Sequence, residues 1–114
     1  MKISKELAKG STGLLVLSVL SNGELYGYQI IKTVELMSEN VFQMNEGTLY
    51  PILHSLEKEG FLTSRWCESE ENSRKRKYYK ITDKGRKELA AQKAEWESYS
   101  RAVDKVVGRA ISAT

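Results

Sequence analysis

The stretch that decides the fold is Glu46–Gly60, EGTLYPILHSLEKEG. Leu49, Ile52, Leu53 and Leu56 recur at i, i+3, i+4 and i+7, the period of a helix with one side against a core. The opposite side carries Thr48, Pro51, His54, Ser55 and Lys58, with Tyr50 at the margin. Asn45 precedes the stretch as an N-cap, and Gly60 stops it. Pro51 sits too far in for a first-turn proline, so a tightened first turn or a late start is expected. The free side offers short donors, a cation and an aromatic hydroxyl, a set suited to reading base edges in a DNA major groove.

Downstream, Phe61–Trp66 reads as a strand and Arg74–Ile81 (RKRKYYKI) as a basic return strand, with the polar loop CESEENS between them. Leu62, Ser64 and Trp66 alternate on one strand, Lys77, Tyr79 and Ile81 on the other. Tyr78 and Tyr79 should therefore face opposite ways. Upstream, Ser11–Ser21 is an apolar helix holding Leu14, Leu15, Leu17, Val19 and Leu20, stopped by Asn22-Gly23. Residues before Gly10 read as a further turn or an arm. A second helix spans about Tyr26–Met37, with Ile30, Ile31, Val34 and Met37 inward. It places Tyr26 and Tyr28 at its N-terminus, where free amides and the helix dipole favour a phosphate. Three helices followed by a hairpin with a basic tip make a mainly α chain with a small β-hairpin, the layout of a winged helix-turn-helix.

A last helix is expected from about Asp83 to Val107. Thr82 or Asp83 caps it, Gly85 stands where a full capping box would have glutamate, and Gly108 ends it. At about 38 Å it outreaches a small domain. The chain thus divides into a winged helix DNA-binding domain, 1–82, and a dimerisation helix with a short tail, 83–114. Leu89, Trp96, Val103 and Ala110 fall at intervals of seven, and Tyr99, Val106 and Val107 widen the stripe. Lys87, Glu88, Glu95, Arg101, Asp104 and Lys105 occupy the other side. Such a stripe folds back on its own domain or, the reading adopted here, pairs with a second copy about a two-fold axis. Two reading helices would then meet half-sites of a palindrome about 34 Å apart. Trp96 and Tyr99 are either interface core or a platform for a flat ligand between subunits.

A length of 114 residues suits one domain, and 29% charged residues with a single proline oppose wholesale disorder. The longest apolar run, Leu14–Leu17, is far short of the roughly 20 residues of a membrane span. The start, MKISKELAKG, has no apolar signal core. The lone cysteine, Cys67, cannot form an internal disulfide, which fits a reducing cytoplasm. Cys67 is either inert or a redox sensor. The net charge is only +3, so its distribution matters more than its size. Residues 1–66 hold six Lys/Arg against seven Asp/Glu; residues 67–85 and 86–114 each hold six against four. Arg74, Lys75, Arg76 and Lys77 stand in a row just after Glu68, Glu70 and Glu71, as phosphate contacts or as a solvated turn. His54 is the only histidine, a base or phosphate donor or simply exposed. Tyr50 reads a base or packs in the domain. Neither a metal-ligand spacing, a nucleophile motif nor a phosphate-cradling glycine loop occurs, so neither an enzyme nor a cofactor is expected.

Three stretches, LYGYQI at 25–30, EGTLYPILHSLEKEGFL at 46–62 and RKYYKITDKGRKEL at 76–89, together resemble the PadR family of bacterial transcriptional regulators. The single long helix at the end is similar to that of the compact subfamily. The resemblance implies a dimeric repressor on double-stranded DNA, bound to a palindromic operator and released by a small molecule. It implies that the third helix reads the major groove and that RKRKYY lies along the minor groove or backbone. Some compact members bind flat aromatic drugs between the subunits, and AEWESYSRAVDKVV at 94–107 is similar there; the stacking aromatic falls at Tyr99, with Trp96 one turn earlier. The rival readings are a winged helix for protein contact and an architectural DNA binder without operator preference.

Overall fold

The computed structural model describes residues 10–68 and 74–112, the last four as backbone alone. The elements are α1 (Thr12–Leu20), β1 (Leu25–Tyr26), α2 (Gly27–Met37), α3 (Glu46–Lys58), β2 (Leu62–Glu68), β3 (Lys75–Ile81) and α4 (Asp83–Ser112). The N-terminal arm, Glu70 and Glu71 of the wing turn, and the side chain of Ala110 lie outside the described residues.

The core forms where α1 meets the apolar stripes of α2 and α3 and the inner face of a small sheet. Val16, Leu17 and Leu20, Ile30 and Val34, Leu49 and Leu53, and Leu62, Tyr79 and Ile81 are all buried there. Val16 is fully buried although the periodic reading did not single it out. Met37, expected inward, is 67% exposed; it is the last residue of α2. That helix ends on Glu39 and Asn40, both left-handed (φ 52° and 67°), and the Asn40 amide bonds the Glu35 carbonyl at 2.8 Å.

The sheet is antiparallel in the order β1-β3-β2. The start of LYGYQI is strand rather than helix: Leu25 and Tyr26 pair with Tyr79 and Tyr78. Two residues show no alternation, which hid this strand from the sequence reading. Helix α3 begins at Glu46 and continues through Pro51, so it does not start late; its first turn carries an i→i−3 bond from the Thr48 amide to the Asn45 carbonyl at 3.2 Å beside the regular one from Leu49 at 3.0 Å. The proline is exposed and leaves the Gly47 carbonyl without its helical donor on the solvent side. Buried Leu49 and Leu53 hold the helix on either side of it. Gly60 (φ 85°) closes α3, and the Phe61 amide reaches back to the Leu56 carbonyl at 2.9 Å.

The turn after α3 seats the start of α4. Thr82 Oγ1 accepts from the Gly85 amide at 2.9 Å and donates to the Gly60 carbonyl at 2.7 Å. The Thr82 amide bonds the Phe61 carbonyl at 3.0 Å, and Lys84 Nζ reaches the Glu59 carbonyl at 2.8 Å. A Cβ at Gly85 would stand 2.2 Å from the Phe61 carbonyl oxygen. Glycine therefore replaces the capping-box glutamate because only a bare backbone fits. Helix α4 does not end at Gly108 but runs to Ser112. One glycine in a helix costs only about 1 kcal/mol, and no proline follows it. Its 30 residues span about 45 Å of a molecule 61 Å long.

Gly85→Ala should lower stability by about 3 kcal/mol through backbone overpacking, while Gly108→Ala, in open space, should leave it unchanged or raise it by up to about 1 kcal/mol. Urea unfolding midpoints compare the two; equal effects would show that the close approach at Gly85 is not required.

Candidate nucleic-acid interface

Helix α3 turns its buried leucines inward and leaves Thr48, Tyr50, Pro51, His54, Ser55 and Lys58 exposed on the other side. Asn45 Oδ1 accepts from the Thr48 amide at 2.9 Å, the expected N-cap. Thr48 thus lies at a fixed first turn with its side chain in solvent. Glu46 in that turn favours the helix dipole and makes this end a poor seat for phosphate. Tyr50 both packs and points outward. It is 46% exposed, yet a Cβ on Gly27 would lie 2.9 Å from its hydroxyl oxygen. The glycine of LYGYQI lets the Tyr50 phenol lie against the start of α2, a role the sequence reading did not assign.

The two tyrosines at the start of α2 separate. Tyr26 precedes the helix, and its amide donates to Gln29 Oε1 at 3.1 Å. Its ring meets Tyr78 edge-on at 5.4 Å, and the Arg76 guanidinium stacks 4.5 Å over it. Tyr28 is exposed, with Lys32 Nζ 5.6 Å from its ring centre. Tyr26 is therefore part of the wing's outer face and Tyr28 part of the free surface beside α3.

Strand alternation divides the four-cation row. Cross-strand pairs Trp66–Lys77 and Glu68–Lys75 lie on the inner face, Cys67–Arg76 and Arg65–Tyr78 on the outer. Lys77, which the sequence placed among the wing cations, also has Glu57 on α3 as a partner, its Nζ 3.7 Å from Glu57 Oε1. Lys75 is exposed, as is Arg74 at the edge of the turn. On the outer face Arg65 forms a two-pronged pair with Glu24, from the turn before β1, with Nε to Oε2 at 3.2 Å. That hydrogen bond, helped by charge, holds the Glu24 carboxyl below its usual value and raises Arg65. Cys67 neighbours Arg65 on the same face. Tyr79 is buried beneath the sheet, and burial raises its phenol.

Far from this surface, α4 carries the second candidate. Leu89 packs on the domain's own core, so the free stripe begins at Trp96. Trp96, Tyr99, Val103, Val106 and Val107 are exposed, and the Trp96 and Tyr99 rings lie 6.2 Å apart, tilted by 35°. Between this side of α4 and the start of α1 runs an open groove of about 950 Å³. Trp96, Tyr99, Val103 and Leu14 line it, with Glu88, Glu95 and Asp104 at its edge. Among the described residues no helix is long and apolar enough to cross a membrane.

A depressed carboxyl stabilises the fold above its unfolded value and loses that contribution as pH falls through the folded one. Side-chain NMR should therefore place the Glu24 midpoint below 4.5, returning toward it in Arg65→Met. An ordinary midpoint in the wild type would mean that the pair does not persist in solution.

The model of the transcriptional regulator PadR-like family matches residues 16–91. The transcriptional regulator Rv3488 of Mycobacterium tuberculosis is 31% identical over 99 residues, spanning 87% of this chain and 88% of that protein. A transcriptional regulator from Clostridium thermocellum superposes with a TM-score of 0.82 at 31% identity, over 89% of this chain and 97% of that one. A PadR family regulator from Eggerthella lenta gives 0.77 at 34% identity, over 90% and 86%. The fold is that of these winged helix regulators, which are not enzymes. With its exposed third helix, its wing and its long terminal helix in place, the chain belongs to the PadR-like family of transcriptional regulators.

Proposed function

We propose that the chain acts as a dimeric repressor that binds a palindromic operator and is released by a small aromatic ligand. The observation that carries the DNA reading is α3 itself. Leu49, Leu53 and Leu56 anchor it, and Thr48, Pro51, His54, Ser55 and Lys58 face solvent side by side. Asn45, Thr48, Tyr50, His54 and Lys58 would meet bases and adjacent backbone. Tyr28, Arg74, Lys75 and Arg76 would meet phosphates, with Tyr26 holding Arg76 in place.

The dimer reading rests on the unpaired stripe of α4. Three valines and two aromatics, each at least 39% exposed along one side of a helix, are costly in water unless a partner covers them. Leu89 would contribute only at the inner margin of that contact. The ligand reading rests on the groove beside it. Its aromatic floor and carboxylate edge favour a flat ring system bearing positive charge. Ligand seated there would change the angle between two heads joined through α4, a shift between arrangements with different spacing of the reading helices.

Salt-dependent anisotropy titrations test the division of labour. Thr48→Ala should weaken operator binding by about 1–2 kcal/mol and leave a random duplex unchanged. Lys75→Ala should weaken both equally and reduce the salt slope by about 0.9. Equal losses on both duplexes for Thr48→Ala would remove α3 as the reading helix, and a Lys75→Ala variant that binds like wild type would favour a protein-contact wing. For the groove, a cationic aromatic ligand should quench Trp96 emission. The quench should vanish in Trp96→Phe and survive in Trp66→Phe; the reverse pattern would place the ligand at the wing.

A further inference from the structure

The inner face of the wing carries a polar cluster, or clasp, joined to α3. Its cross-strand pairs run outward as Leu62–Ile81, Ser64–Tyr79, Trp66–Lys77 and Glu68–Lys75. Leu62, Ile81 and Tyr79 belong to the core, whereas Trp66 is 64% exposed. The apolar support of the hairpin therefore gives out halfway along it. Glu57, in the second half of α3, stands at this boundary. Its Oε2 accepts a hydrogen bond from Ser64 Oγ on β2, and its Oε1 pairs with Lys77 Nζ on β3 at 3.7 Å. The same ammonium lies 5.9 Å from the Trp66 ring centre and 5.5 Å from that of Tyr79. Each carboxylate oxygen is committed to a different strand, and the lysine, its side chain still 37% exposed, has one anion and two aromatic rings around it.

We propose that Glu57 is a positioning residue that fixes the wing on the reading helix and withholds Lys77 from phosphate. A two-stranded hairpin is at best marginal without support. Beyond Tyr79 the contacts from α3 to this face come through Glu57 alone among the interactions just described. It lies on the same helix as Thr48 and His54, so it sets where the wing tip falls relative to the base-reading side chains. The clasp also sets the charge the wing presents. A lysine already neutralised by a carboxylate displaces no counterion from DNA unless it first leaves its partner. Lys75 thus stays available on this face while Lys77 does not, although the two are only two residues apart. The withholding of Lys77 rests on the DNA reading above; the bracing of the wing does not.

Two volume-preserving variants and two readouts test this. Glu57→Gln keeps an acceptor for Ser64 and releases the Lys77 charge. Lys77→Met keeps the packing between Trp66 and Tyr79 and removes the charge. On a labelled random-sequence duplex, Glu57→Gln should bind a few-fold more tightly than wild type, with a salt slope steeper by about 0.9, and Lys77→Met should keep the wild-type slope. A purely structural role for Glu57 would give no such gain. Amide hydrogen exchange, which needs no DNA, should speed up across Leu62–Glu68 and Lys75–Ile81 in both variants while α1 stays as protected as in wild type. A slope that falls by about 0.9 in Lys77→Met would make Lys77 a phosphate ligand and overturn its withholding. Unchanged wing exchange in both variants would overturn the clasp. A wild-type chain that binds no duplex would refute the DNA reading itself, and the exchange comparison would still decide the bracing.

Discussion

The rest of the structure depends on the close approach of two backbones, at Gly85 and Phe61. The α3 turn, the end of β3 and the first turn of α4 meet there, through Thr82 bonded to both Gly60 and Gly85 and through a gap that no Cβ can enter. This seam makes the reading head and the long helix one body at their junction. Packed interfaces of this kind switch between arrangements instead of deforming gradually. Under the proposed function, a ligand seated against α4 would act on α3 through that contact.

Much of this was legible in the sequence because it rests on local period and local capping. The leucines of α3, the Asn45 cap, the Thr82 cap and the split of Tyr78 from Tyr79 all follow from spacing within a few residues. What was not legible depends on partners distant in sequence. The β1 strand exists only because Leu25 and Tyr26 find Tyr79 and Tyr78. The basic row Arg74–Lys77 looks like one patch until the strand period sends Lys75 and Lys77 to one face and Arg76 to the other. Glu24 and Arg65 are 41 residues apart, and Glu57 gave no signal of its partners on the wing. Gly85 was noticed only as a missing glutamate; its reason became visible when Phe61 appeared beside it. Gly108 suggested an end to a helix that runs on at low cost, and Pro51 a late start to one that begins at Glu46.

These corrections sharpen the interface. The wing is not a uniform basic tip but a two-faced blade. Its outer face stacks Arg76, Tyr26, Tyr78 and Arg65 in sequence, and its inner face is pinned to α3. The proposed reading surface is consequently small, built on the exposed side of one short helix with Tyr50 and Tyr28 beside it. In the proposed dimer a surface of that size would gain specificity by being used twice, which would connect the small head to the exposed apolar stripe of α4.

The central claim is that this chain reads a specific sequence as a dimer. Anisotropy of a labelled duplex from upstream of its own gene, titrated at physiological salt against excess random competitor, tests it most directly. Binding that survives the competitor, with two protomers per duplex, is the predicted result. Binding that the competitor abolishes on that duplex, and on fragments selected from the whole genome, would contradict the claim and leave a wing that holds DNA without reading it.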